Sequence, residues 1–288
     1  MFEGFTLERI ETEEVVLRVR HGGSGPPLLL LHGHPQTHAM WHLVAPRLAE
    51  EFTVIAPDLR GYGESSKPAT TSDHEPYSKR AMARDAVALM RQLGFERFSV
   101  AGHDRGARCA YRLALDHAER VERLAVLDVI PTGETWRRAD RRFMLAWWHW
   151  AFLAQPEPLP ETLIGTDPDA YYFRGDRSRF DQDALAEYLR CACDPATIHA
   201  MCEDYRAGAT YDFDLDEADR AEGRRIACPV LVLWGRRNNL EELFGDPLAI
   251  WREWADDVRG RPLECGHYLA EEAPEETYAE LRGFFGGR

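Results

Sequence analysis

At 288 residues, with 44% hydrophobic and 29% charged side chains, the chain is long enough for one large globular domain or for a core with an inserted subdomain. Its formal net charge of −14 excludes general nucleic-acid binding, which needs a surplus of Lys and Arg, and no apolar run approaches the length of a membrane span. Residues 1–20 lack the apolar stretch of a signal peptide, and the six cysteines show no zinc-like spacing, so a cytoplasmic protein with reduced thiols and no metal is expected.

Val15, Leu17 and Val19 alternate within residues 5–20 and predict one or two hairpin strands before the turn from Gly22 to Pro27. Leu28 to Leu31 is continuously apolar, the mark of a strand buried on both faces. It runs into His32-Gly33-His34-Pro35-Gln36, where His32 reads as a loop brace. Trp41 to Glu50 reads as helix and Thr53 to Ala56 as the next buried strand. The glycine-rich connection from Asp58 to Ser66 lacks the G-K-[ST] ending of a phosphate loop, so no nucleotide cofactor is implied. Tyr77 to Leu93 is amphipathic helix, stopped by Gly94.

Phe98 to Ala101 is a short buried strand that meets Gly102-His103-Asp104-Arg105-Gly106, after which a helical pattern begins. Small residues two places either side of a central residue, on a sharp strand-to-helix turn, describe a nucleophile elbow. The common elbow residue is Ser, whereas here it is Asp104. A carboxylate suits attack on an sp3 carbon, giving an ester that water must then cleave. The plainer reading, in which two glycines only allow close packing and Asp104 caps a helix, loses ground because matching pieces follow in order. Val121 to Asp128 is an apolar strand ending in an acid, and the strand–helix rhythm predicts an α/β fold: a mostly parallel sheet with helices on both faces.

The rhythm breaks over residues 131–218, where aromatic residues cluster in helical text interrupted by Pro156, Pro158 and Pro160. This predicts a helical cap inserted between two parts of the core, 1–130 and 219–288, with most of its aromatics serving as packing. Pro229 to Gly235 restores the sheet, Trp251 to Ala255 reads as helix, and Arg261 to Cys265 as a last strand. His267 follows it, ahead of an acidic helix from Pro274 to Phe285. The candidate catalytic order is therefore Asp104, Asp128, His267. Asp128 is favoured as the acid because it sits at a strand end. The loop Gly235-Arg-Arg-Asn-Asn239 holds no carboxylate, and Glu241 beyond it is the fallback.

With these residues in place, the chain resembles the haloacetate (fluoroacetate) dehalogenases of the α/β-hydrolase superfamily over nearly its whole length. Gly-His-Asp-Arg-Gly-Ala-Arg at 102–108 is the specific mark. His-Gly-His-Pro-Gln at 32–36, Val-Leu-Asp at 126–128, Trp-His-Trp at 148–150 and Asp-Tyr-Arg-Ala-Gly at 204–208 support it. The resemblance implies an α/β-hydrolase fold with no cofactor and no metal, acting on a small 2-haloacid with water; a homodimer is common among such proteins. It implies carboxylate binding by Arg105 and Arg108, halide binding by His149, Trp150 and Tyr205, and an oxyanion-hole N–H at His34. The chemistry is consistent: a guanidinium suits a small carboxylate, and a poor leaving group such as fluoride needs converging donors. His34, Ala107 and a short-looking loop between Trp234 and Trp251 depart from the family pattern.

Two rival functions remain. An epoxide hydrolase shares the Asp nucleophile and His base but has a neutral substrate, against which Arg105 weighs; a haloalkane dehalogenase fails on the same ground. A catalytically silent hydrolase-fold receptor for small carboxylates is the other, and it leaves three competent catalytic positions unexplained.

Overall fold

The computed structural model describes every residue except Asp176 and Arg288. Eight strands, β1 (Thr6–Glu11), β2 (Val16–Gly22), β3 (Pro27–Leu31), β4 (Thr53–Pro57), β5 (Phe98–His103), β6 (Val121–Leu127), β7 (Val230–Gly235) and β8 (Val258–Leu263), form one sheet in the order β1-β2-β4-β3-β5-β6-β7-β8. The β1/β2 and β2/β4 pairs are antiparallel, and all pairings from β4 to β8 are parallel. Leu28 to Leu31 and Val230 to Gly235 are buried throughout, as expected for central strands covered on both faces.

Core helices α1 (Ala45–Leu48), α2 (Lys79–Gln92) and α3 (Arg105–Asp116) precede β6. Between β6 and β7 the chain passes through α4 (Thr132–Arg137), α5 (Arg141–Ala146), α6 (His149–Leu153), α7 (Leu159–Thr166), α8 (Pro168–Phe173), α9 (Gln182–Ala192), α10 (Pro195–Ala209) and α11 (Tyr211–Glu222). Then follow α12 (Leu240–Phe244), α13 (Pro247–Trp251), α14 (Leu269–Glu272) and α15 (Pro274–Gly286). Among the described residues, no helix is long and apolar enough to cross a membrane.

Three elements differ from the sequence reading. The segment expected to be helical over 41–50 is a 3-10 turn (His38–Trp41) followed by α1, which restarts with Pro46 in its first turn. The expected helix 251–255 ends at Trp251 because it begins earlier, with Asp246 capping Leu248 N–H, and Ala255 instead bridges to Ile226. The last strand is displaced toward the N-terminus: Val258 pairs with Val230 and Leu263 with Gly235, so the chain has turned away before Cys265.

The elbow is closely packed at its glycines. A Cβ on Gly102 would lie 2.4 Å from Gly106 O, and one on Gly106 would lie 2.4 Å from His32 O. Both glycines are therefore dictated by backbone approaching backbone, which drives α3 into the sheet and lifts residue 104 above the strand ends.

Candidate active site

Asp104 and Asp128 are two of four non-glycine residues with positive φ among the described residues, at 46° and 60°. Each stands at the end of a central parallel strand, where the surrounding sheet holds it in a sparsely populated conformation. Between them and the helical insertion lies a cavity of about 340 Å³, lined by Asp104, Arg108, Asp128, His149, Trp150, Tyr205, Asn238 and His267 among others.

Asp104 Oδ2 accepts the His34 backbone N–H at 3.0 Å. Gly33 permits this approach, since a Cβ there would sit 2.8 Å from both Asp104 Cβ and His103 Nδ1. Oδ1 accepts no hydrogen bond among the described residues, which leaves it as the oxygen able to attack. Burial alone would raise the Asp104 pKa; His267, His103, Arg108 and Arg105 more than offset it and hold the carboxyl far below its ordinary value. Asp104 is thus an anion throughout the physiological range.

His267 Nδ1 lies 2.5 Å from Asp128 Oδ2, an arrangement that turns Nε2 away from the acid. Burial favours the neutral imidazole, but the Asp128 hydrogen bond and charge, with Asp104 beyond, raise its pKa overall. Asp128 also accepts from Gly235 N–H at 2.9 Å and from the Asn238 amide at 2.5 Å. The fallback acid, Glu241, lies elsewhere and accepts the Trp234 indole N–H at 2.8 Å.

The structure separates the two arginines. Arg105 does not line the cavity: its Nε and Nη2 donate to the Asp204 carboxylate at 3.0 and 2.5 Å, and Nη2 also to Asp204 O at 2.7 Å. Lys79 and Tyr62 bind the same carboxylate, so the cluster is a buried, largely neutralised network. Only Arg105 Nη1 is left without a partner. Arg108 does line the cavity and makes no ion pair among the described residues; its Nη1 donates to Ile130 O at 3.1 Å and to Thr132 Oγ1 at 3.3 Å, while its Nε is unpartnered. Arg108 is therefore a fully buried cation, next to the nucleophile, that a ligand carboxylate can neutralise.

Each arginine lies under an aromatic ring, Arg105 at 4.3 Å from the Tyr205 ring centre and Arg108 at 4.5 Å from that of Trp150. A cation on a ring face draws electron density from it and strengthens the donors on its edge. His149 sits edge-on to Tyr205 with ring centres 5.9 Å apart, as does Trp150. Burial is the main reason the His149 pKa falls to about 4, so the imidazole is neutral and keeps one N–H to donate. Burial, and the charge of Asp104, keep Tyr205 a phenol.

Sequence reasoning missed Asn238, which stands in the loop inspected for a carboxylate, and the Arg105 partner Asp204, although its motif was noted. It also treated most insertion aromatics as packing, whereas Trp147, Trp148, Tyr171 and Tyr172 line the cavity. Periodicity could not reveal this, because an aromatic ring can pack by its edge and wall a cavity with its face. His32 is the brace expected: its Nδ1 meets Gly33 O at 2.9 Å and its Nε2 accepts Leu59 N–H at 2.9 Å.

A family model for the alpha/beta hydrolase fold matches residues 26–274. A fluoroacetate dehalogenase from Burkholderia sp is 47% identical, the alignment covering 99% of this chain and 95% of that one. A soluble epoxide hydrolase from Corynebacterium sp. (strain C12) is 36% identical, with 91% of each chain covered. The crystal structure of ALR0039 from Nostoc sp PCC 7120, described as an alpha/beta hydrolase, superposes with a TM-score of 0.97 at 53% identity and covers 100% of both chains. The fold, the family model and an end-to-end match at this identity agree: the chain belongs to the α/β-hydrolase superfamily and, within it, to the family of the fluoroacetate dehalogenase.

Proposed function

We propose that this hydrolase removes halide from a small 2-haloacid, such as fluoroacetate or chloroacetate, and yields the 2-hydroxy acid. The observation that carries the reading is Arg108, a buried guanidinium that lines the cavity beside Asp104 with no carboxylate partner among the described residues. In the proposed reaction Arg108 holds the substrate carboxylate, while Arg105, bound to Asp204 outside the cavity wall, holds the structure beside it. Asp104 Oδ1 attacks the halogen-bearing carbon; the new C–O bond forms as the carbon–halogen bond breaks. His149, Trp150 and Tyr205 donate to the departing halide, where charge develops in the transition state. Water then attacks the Asp104 ester carbonyl, His267 takes its proton, and Asp128 stabilises the imidazolium. The His34 N–H already bonded to Oδ2 supports the oxyanion of that step. Collapse breaks the ester C–O bond as the His267 imidazolium returns its proton to the departing alkoxide, releasing glycolate; the Asp104 carboxylic acid left behind loses its proton to solvent and the carboxylate is restored.

A second reading is hydrolysis of an epoxide, favoured by the 36% identical relative and by Tyr205, a phenol placed to protonate an opening ring. Its neutral substrate would leave the Arg108 charge uncompensated in a partly dry cavity. Halide release from fluoroacetate, chloroacetate and bromoacetate, followed with an ion-selective electrode beside diol formation from a simple epoxide, decides between them. Halide without diol supports dehalogenation. Diol without halide supports the second reading, and silence on both points to a carboxylate receptor.

A further inference from the structure

The Asp128 carboxylate is held by donors from two loops. Gly235 N–H binds Oδ1 at 2.9 Å, while Oδ2 accepts both His267 Nδ1–H and Asn238 Nδ2–H, each at 2.5 Å. Asn238 is set in place by a tight turn after β7, its own N–H donating to Gly235 O at 3.0 Å. The amide reaches the cavity wall beside Asp128 and His267. It occupies the loop that could have carried the acid itself, and there it hydrogen-bonds to the acid instead.

One carboxylate oxygen shared by two donors gives less of its charge to each. Taking the proposed role of His267 as the base for ester hydrolysis, we propose that Asn238 is a positioning residue that sets the orientation and base strength of His267 through Asp128. With the amide present, Oδ2 is partly occupied, and the imidazolium is held less tightly. Without it, Asp128 holds the imidazolium more firmly, so His267 stays protonated to higher pH and less of it is available as base.

Other charged or titratable groups face His267. Asp104 lies across the cavity and Glu272 comes from α14; His103 lies tilted against His267 at 4.6 Å between ring centres, and His149 looks in from α6. His103 and His149 remain neutral down to about pH 4, chiefly because they are buried. Glu272 accepts Gly266 N–H at 2.7 Å and Tyr268 N–H at 3.1 Å, and Arg237, the neighbour of Asn238, approaches it at 3.9 Å; none of these contacts uses the Asn238 amide. All of these are common to wild type and variants, so a difference between them reports on the Asn238 amide.

The test uses wild type, Asn238→Ala and Asn238→Gln, with two readouts. NMR titration of the His267 ring protons in the free protein should show a midpoint raised by about one pH unit in Asn238→Ala and partly restored in Asn238→Gln. In single turnovers with bromoacetate, both variants should release one halide per site, because alkylation of Asp104 does not use His267. The acid limb of ester decay, followed by intact-protein mass spectrometry, should move up with the NMR midpoint and slow decay about tenfold near neutral pH in Asn238→Ala. An unchanged His267 midpoint in Asn238→Ala overturns the inference, whatever happens to the rate. So does loss of the halide burst in that variant while wild type retains it. Absence of a burst from wild type would instead defeat the dehalogenase reading, and the NMR titration would still decide the role of Asn238.

Discussion

At the scale of single residues, the two arginines that look equivalent in Gly-His-Asp-Arg-Gly-Ala-Arg have different electrostatic surroundings. Arg108→Gln removes a buried cation that faces the cavity and breaks no ion pair among the described residues. It should lower kcat/KM for a haloacetate by about 1.5–3 kcal/mol, roughly ten- to a hundredfold, and far less for the matching haloacetamide. Arg105→Gln strips a partner from Asp204 and should lower the melting temperature while impairing both substrates alike, since breaking a buried ion pair costs about 3–5 kcal/mol. Parallel kinetics on the two substrates, with thermal melts, check this. Spacing alone could place both side chains beside the nucleophile, but the Asp204 carboxylate that binds one of them lies 99 residues away from it in the chain.

His267 carries a second residue-scale prediction. Its raised pKa owes part of its rise to Asp104. Alkylation converts that carboxylate into a neutral ester and removes one of the charges that hold the imidazole protonated. More of His267 should therefore be neutral, and so available as the base, at the step that needs one. The acid limb of ester hydrolysis in single turnovers should fall below the His267 midpoint measured by NMR in the resting protein. His267→Asn should release one halide per site and stop as the trapped ester, visible as added mass on the Asp104 peptide.

Among the elements, α14 and α9 meet through a buried carboxyl. Glu271 on α14 accepts the Tyr188 hydroxyl of α9 at 2.9 Å and the Gln36 amide at 2.5 Å, tying the insertion to the loop after β3. Burial outweighs these donors and pushes its pKa from 4.5 up to about 8. A carboxyl whose pKa is raised in the fold contributes its stability below the unfolded value. That contribution is lost as pH climbs from 4.5 through 8, because the unfolded chain ionises while the native one holds its proton. Glu271→Gln, neutral at every pH, should melt at a temperature that gains on wild type across that window. Melts at several pH values in one buffer system read the difference. Nothing in the local pattern of Leu-Ala-Glu-Glu marks this glutamate as buried, whereas β3, β5 and β6 announced themselves as short apolar runs. Elements whose burial follows from their own composition were legible; contacts made across the insertion were not.

For the molecule as a whole, the chain order of elbow, acid and histidine was readable because the fold sets each at the end of a strand, and strand ends show in sequence. The cavity wall was not, since it is assembled from α6, α8, α10 and the loop after β7, whose mutual distances depend on tertiary packing. A native state that keeps the Arg108 charge in a partly dry hollow, while the unfolded chain lets it hydrate, is less stable than the same fold with that charge answered. Any small carboxylate in the buffer that enters the hollow will therefore act as a stabiliser, in proportion to its occupancy. Acetate at about a hundred times its dissociation constant should add roughly 2.7 kcal/mol to the unfolding free energy, and Arg108→Gln should abolish the effect. Purified into acetate or formate, the enzyme would melt late and turn over slowly, and a change of buffer anion alone would reverse both.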